Sequence, residues 1–275
     1  MATQAATMTR PAGATSAGVP LPAFTLWWRE IVRFYRQTGR VVGVLASPVV
    51  FWLVIGSGFG TSFRSGNGGG QEHYLNYFFP GTLVMIVLFT SIFTMMSVIE
   101  DRKEGFLLSV LVAPVPRSAI VLGKVLGGTT LAAVQGMIFL IFAPFAQIHL
   151  APVPVLLIAV VVFLVSFSLT ALGFSIAWPM DSSQAFHGIV NLFLIPLWLL
   201  SGALFRITTA SKWLQVIMRI NPLTYGVDAL RGIMYPGSDT NFPLPYDLAT
   251  LLLFSLVMFG LALLMANRRT TRPAA

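Results

Sequence analysis

Long apolar runs dominate the chain. They fall near residues 41–59, 78–99, 119–145, 154–178, 187–205 and 247–266. A helix needs about 20 predominantly apolar residues to cross a bilayer, so each run is long enough to span. Before the first run, Phe24, Trp27, Trp28, Ile31 and Tyr35 recur at helical spacing, and Arg29, Arg33, Arg36 and Arg40 fall on the other side. That pattern predicts an amphipathic helix over 23–40, with its aromatics in the headgroup boundary and its arginines toward anionic lipid or a partner. Residues 1–22 are rich in Ala, Thr, Gly and Pro, with Arg10 the one charge and no signal-like apolar core, and are expected to form a disordered arm. Within the runs, Pro48, Pro144 and Pro196 are expected to mark kinks.

Composition agrees with a membrane protein. Of 275 residues, 56% are hydrophobic and 9% charged, against about 25% charged in a soluble domain. The net charge of +8 need not signal nucleic acid. Lysines and arginines mark the cytoplasmic side and meet anionic lipid. With the N-terminus inside, 12 of the 17 fall on inner segments and 5 on outer ones, so both termini are expected to be cytoplasmic. This leaves one transmembrane domain over 41–267 and a basic tail over 268–275. The first outer loop contains Ser65-Gly66-Asn67-Gly68-Gly69-Gly70, a flexible-linker composition.

One stretch breaks the apolar pattern differently. Glu100, Asp101, Arg102, Lys103 and Glu104 are five adjacent charges, followed by Gly105, Phe106-Leu107-Leu108 and Val110-Leu111-Val112. Charges at this density do not lie in hydrocarbon. The stretch therefore lies at one membrane face, either as a plain loop carrying topology signals or as a short amphipathic surface helix offering its charged end to a soluble partner. A second polar region, Arg206 to Tyr246, holds two amphipathic patterns: Trp213, Leu214, Val216, Ile217 and Ile220, then Tyr225, Val227, Leu230, Ile233 and Met234 after Pro222. Neither spans; together they fit a re-entrant hairpin. Asp228 and Arg231, three apart, have the spacing to pair on a helix.

The acidic-basic-Gly start after the second run, the following L-x-x-L-x-x-P-x-x-R (Leu108, Leu111, Pro114, Arg117) and the Gly123-Lys124 entry into the third run resemble the ABC-2 type permeases of ATP-binding-cassette exporters. Asn221-Pro222-Leu223-Thr224-Tyr225-Gly226-Val227-Asp228-Ala229-Leu230-Arg231, placed before the last run, resembles a second block of that family, and the match extends over roughly Trp27 to Asn267, nearest its daunorubicin-resistance, multidrug-efflux branch. The resemblance implies an all-α membrane fold. It has six transmembrane helices, an N-terminal amphipathic connecting helix, a cytoplasmic coupling helix and an outer re-entrant hairpin. It also implies separate ATPase subunits that bind ATP-Mg, with no cofactor on this chain, and a second permease subunit as homodimer or related chain. Coupling residues would be Glu100, Asp101, Arg102, Glu104, Gly105, Phe106 and Leu107, with Arg29, Arg33 and Arg36 from the connecting helix. Asn221, Pro222, Tyr225, Asp228 and Arg231 would form the outer gate. The implied setting is the plasma (inner) membrane and the implied cargo a drug, lipid or lipid-linked glycan.

Absent chemistry narrows the alternatives. Gly123-Lys124 lacks the upstream glycine of a P-loop, so the chain is not expected to hydrolyse ATP itself. There is no cysteine, and His73, His149 and His187 have no metal-ligand spacing. A lipid-modifying enzyme would need a nucleophile-base pair at the interface, which Glu100 to Glu104 lacks. An ion-driven secondary transporter would favour paired acids in mid-membrane, which are not evident. Gly123, Gly127, Gly128, Ala132 and Gly136 form a small-residue stripe read as packing within one subunit, and Gln135 is read as a bond to a neighbouring helix. His187 is read as structural.

Overall fold

The computed structural model describes residues 18–36, 38–58, 74–148, 151–238 and 240–268. The glycine-rich part of the first loop, the arm before residue 18 and the tail after 268 lie outside them. Among the described residues the chain is helical and without strands. Its elements are α1 (Pro20–Tyr35), α2 (Thr38–Gly58), α3 (Tyr74–Thr94), α4 (Met96–Lys103), α5 (Phe106–Val112), α6 (Arg117–Phe139), α7 (Pro152–Ala177), α8 (Ser183–Trp198), α9 (Lys212–Ile220), α10 (Pro222–Met234) and α11 (Leu244–Asn267).

Five continuous helical stretches are long and apolar enough to cross a membrane: Tyr74–Lys103, Arg117–Ala146, Pro152–Ala177, Ser183–Ala203 and Leu244–Asn267. They correspond to five of the six expected spans. The expected first span falls on α2, whose shorter apolar part is Ala46–Gly58. Two of the three expected proline irregularities appear. Pro144 lies in a 3-10 turn over Leu140–Ala146, and Pro196 precedes a π turn over Leu199–Ala203. Pro48 sits within α2.

α3 is the axis of the bundle. Phe78, Phe79, Leu83, Ile86, Leu88 and Ile92 are fully buried, and α2, α6, α7, α8 and α10 pack around it. Trp52 of α2 meets Phe79 and Phe139 edge-on, joining three helices at one aromatic contact. Gly81 faces Ala203, where a Cβ would come within 2.6 Å of the alanine Cβ. The outside is apolar in turn: Leu253, Leu256 and Leu264 of α11 and Leu192 and Phe193 of α8 are exposed. An outward face of this kind suits hydrocarbon, where the backbone polar groups are satisfied within the helices.

α1 departs from expectation at its ends, stopping at Tyr35 rather than near residue 40. It starts at Pro20 rather than after residue 22, since proline suits the first turn of a helix. Its inward face is Ala23, Leu26, Glu30 and Phe34, while Phe24, Trp28 and Tyr35 are exposed. The receiving surface is α6, where Cβ atoms added at Gly123 and Gly127 would come within 2.7 Å of Leu26 Cβ and 2.8 Å of Glu30 Cβ. Gly128 and Gly136 face α3 and α7. The stripe thus packs within one chain, the small residues letting backbones approach. Gln135 accepts a hydrogen bond from Thr90 of α3, a neighbouring helix as read from the sequence.

Candidate functional site

The five-charge stretch begins as the continuation of α3. The helix tightens at Met95, runs on as α4 and ends at Gly105, whose φ of +76° is a left-handed conformation that favours glycine. That residue turns the chain into α5. The elbow Glu100–Leu107 therefore consists of two short helices about a glycine corner.

Asp101 is the hub, with no exposed surface. Arg29 donates to both its oxygens, at 2.9 and 2.7 Å, and Arg33 donates to it at 2.8 Å. Lys124 of α6 donates to Asp101 as well, to Glu30 at 2.6 Å and to Ser97 at 3.1 Å. Arg33 also reaches Glu100 at 2.8 Å and, more loosely, Glu104 at 3.7 Å. Three carboxylates (Glu30, Glu100, Asp101) thus meet three cations (Arg29, Arg33, Lys124), which satisfies the condition for burying charge: paired and hydrogen-bonded. The hydrogen bond from Arg29 to Asp101 raises the Arg29 pKa above its ordinary value. Its guanidinium lies 3.7 Å above the Phe106 ring.

On the other side of α4, Arg102 holds the turn between α7 and α8. It donates to the carbonyls of Trp178 and Met180 and pairs with Asp181 at 3.0 Å. A cavity of about 280 Å³ lies here, lined by Arg102, Leu107, Leu111, Trp178 and Asp181 among others. Arg117, at the start of α6, donates at 2.8 Å to the carbonyl of Ala266 near the end of α11. These contacts place the elbow at the turn between α7 and α8, and the start of α6 beside the end of α11.

Of the expected coupling residues, Glu100, Asp101, Arg102, Glu104, Gly105, Phe106, Leu107, Arg29 and Arg33 come together. Arg36 does not join them; it is exposed just after α1 and forms no ion pair among the described residues. Arg29 and Arg33 turn to the carboxylates of α4 instead of outward to lipid, because α1 packs on α6 and that brings their side chains within reach of Glu100 and Asp101. Leu107 is buried and Phe106 lies under Arg29; the apolar side chains exposed from α5 are Leu108, Leu111 and Val112. Glu104 is 61% exposed. Arg40's side chain lies outside the described residues.

Glu30 and Lys124 were not among the expected coupling residues, although Lys124 belongs to the Gly-Lys entry into the third run. Two signals were present: Glu30 is the sole acid of α1 and falls on its inward face, and Lys124 sits in the small-residue stripe, where a charge in an apolar helix needs a partner.

The expected gate residues lie at the opposite end of the bundle. Asn221 caps α10, accepting from the Leu223 N–H at 3.0 Å and donating to the Leu197 carbonyl at 2.6 Å, and Pro222 occupies the first turn. Tyr225 donates to the Arg219 carbonyl at 2.6 Å. Asp228 and Arg231 do not pair. Asp228 accepts from the Asn241 and Phe242 N–H groups and from the Asn241 side chain. Arg231 donates to the Gly202 carbonyl at 3.1 Å and lies 4.1 Å above the Tyr77 ring. Partners brought in by the fold displace the neighbour three residues away. Gly202, at φ +79°, opens the helix and presents its carbonyl to Arg231 and to the Tyr77 hydroxyl.

No group of three His, Cys, Asp or Glu residues fit to hold a metal occurs among the described residues.

Comparison with known proteins follows the same outline. The family model for the ABC-2 type transporter matches residues 23–235. The daunorubicin resistance ABC transporter permease protein DrrB1 of Streptomyces coeruleorubidus is 26% identical over 232 residues, covering 82% of this chain and 78% of the relative. The inner membrane transport permease YadH of Escherichia coli K12 is 27% identical over 221 residues, covering 75% and 80%. A Cyanophora paradoxa protein described as the transport permease ycf38 is 27% identical over 211 residues, covering 76% and 72%. With an apolar, multi-helix architecture and a family match over more than half its length, this chain belongs to the ABC-2 type transporter family and is the membrane permease subunit of a transporter.

Proposed function

We propose that the chain is an exporter permease driven by separate ATPase subunits, which bind at the elbow Glu100–Leu107. The supporting observation is the buried ion network. It ties the elbow rigidly to α1 and α6 while leaving Glu104, Leu108, Leu111 and Val112 at the surface. Exposed charge beside exposed apolar residues suits a docking surface, and the cavity beside Arg102 and Trp178 suits an incoming apolar side chain. Asp101, Arg29 and Lys124 serve to position this surface, and Glu104 with the α5 face touches the partner.

In this reading α2 is the sixth span, both termini are cytoplasmic, and α9 with α10 form the outer re-entrant hairpin. A second permease subunit completes the pathway. ATP-Mg bound by the partner ATPases closes their dimer, and the rigid elbow carries that motion into α3 and α6, shifting the balance between inward- and outward-open states. The cargo is a hydrophobic or amphiphilic molecule, such as a drug, lipid or lipid-linked glycan, in keeping with the apolar spans.

Affinity purification from gently solubilised native membranes tests this. A nucleotide-binding subunit should co-purify at one-to-one stoichiometry with ATPase activity, and its recovery should fall on Glu104→Lys. Isolation of the chain alone, inactive in several detergents, would overturn the reading.

A further inference from the structure

A cavity of about 360 Å³ lies at the end of the bundle away from the elbow, between the start of α7, α10 and the start of α11. One side is hydrocarbon, from Val153, Leu157, Ile233, Phe242 and Leu244. Asp228, Ser238 and Asp247 also line it. Asp247 is 1% exposed, and its Oδ1 has no hydrogen-bond partner; the buried Ser238 Oγ has none either. No Lys, Arg or His is among the described residues lining the cavity.

A buried carboxyl oxygen without a partner is costly, so the site calls for a proton or a cation. Asp247 lies in the first turn of α11, and with Asp228 lining the same cavity two carboxyl groups face a space that no described cationic side chain enters. A metal ion is a poor fit. Asp228 already spends both oxygens on Asn241 and Phe242, and calcium takes about six to eight oxygen ligands. An ammonium group needs fewer acceptors, and the hydrocarbon side needs something apolar to face. The volume lies within the roughly 300–1,000 Å³ usual for small-molecule sites.

We propose that this cavity binds an amphiphilic organic ammonium. The Asp247 carboxylate is its counter-ion, Ser238 Oγ accepts a second N–H, and the alkyl or aryl part lies against Leu157, Ile233 and Phe242. The ammonium comes either from a soluble amphiphile or from an ethanolamine lipid headgroup. The site does not depend on ATPase docking, since binding is read on the permease chain alone.

Equilibrium binding of radiolabelled octylammonium to the purified full chain in dodecyl maltoside, corrected for empty micelles, tests the site. Saturable one-site binding is expected, weakened at least tenfold by Asp247→Asn and not displaced by 1-octanol. Leu157→Trp, which fills the cavity with the charge intact, should also abolish it and serves if Asp247→Asn fails to fold. Displacement by phosphatidylethanolamine but not phosphatidylglycerol assigns the lipid source; displacement by neither assigns a soluble amphiphile. Equal binding to folded Asp247→Asn, equal displacement by octanol, or no saturable binding to the unaltered chain would overturn the proposal.

Discussion

The Lys124 ammonium donates a 2.6 Å hydrogen bond to the Glu30 carboxylate, across 94 residues of sequence, and both groups are buried. This bond joins the N-terminal helix to the third long helix beside Asp101, so α1, α4 and α6 share one charge cluster.

Removing Lys124 should therefore be severe. Lys124→Met leaves Glu30 and Asp101 buried with less compensation, and breaking a buried pair from one side costs about 3–5 kcal/mol. The thermal midpoint in detergent should fall by several degrees, with Glu30→Gln added to Lys124→Met recovering part of the loss. A midpoint unchanged by Lys124→Met would refute the cluster.

The contact between α1 and α6 depends on the absence of side chains at Gly123 and Gly127. Gly123→Val places a Cβ within 2.7 Å of the Ala23 carbonyl, a backbone atom that cannot swing aside. Overpacking of this kind costs about 1–3 kcal/mol. Gly260→Ala, with nothing within 4 Å, should be neutral or slightly stabilising. Thermal midpoints of the two variants measured side by side check the contrast.

At the other end, Asp228 fastens the chain before α11 to α10. Asp228→Ala removes the acceptor for two backbone N–H groups, so hydrogen exchange at Asn241 and Phe242 should accelerate at least tenfold while exchange in α3 stays unchanged. Equal acceleration in both regions would mean global unfolding instead.

Much of this arrangement was legible in the sequence, because hydropathy over 20 residues reports burial in lipid whatever the neighbours. The interior of α1 was less so. Phe24 and Trp28 face outward, as an interfacial helix requires, but the inward side turns on Glu30, whose partner Lys124 lies 94 residues away. The direction of Arg29 and Arg33 depended on Asp101 and Glu100 lying about 70 residues away, a relation that spacing alone does not encode. For the same reason Asp228 and Arg231 were spaced to pair but take partners at Asn241 and Gly202.

Coupled ATP hydrolysis in the purified transporter carrying Glu104→Lys tests the central claim most directly. Glu104 is exposed and its ion pair with Arg33 is long at 3.7 Å, so the variant should fold with an unchanged thermal midpoint. The account predicts that this variant loses most of the ATPase stimulation and transport of the unaltered complex. Full coupling and transport with Lys at position 104 and reversed charge at Glu100 as well would contradict docking at the elbow.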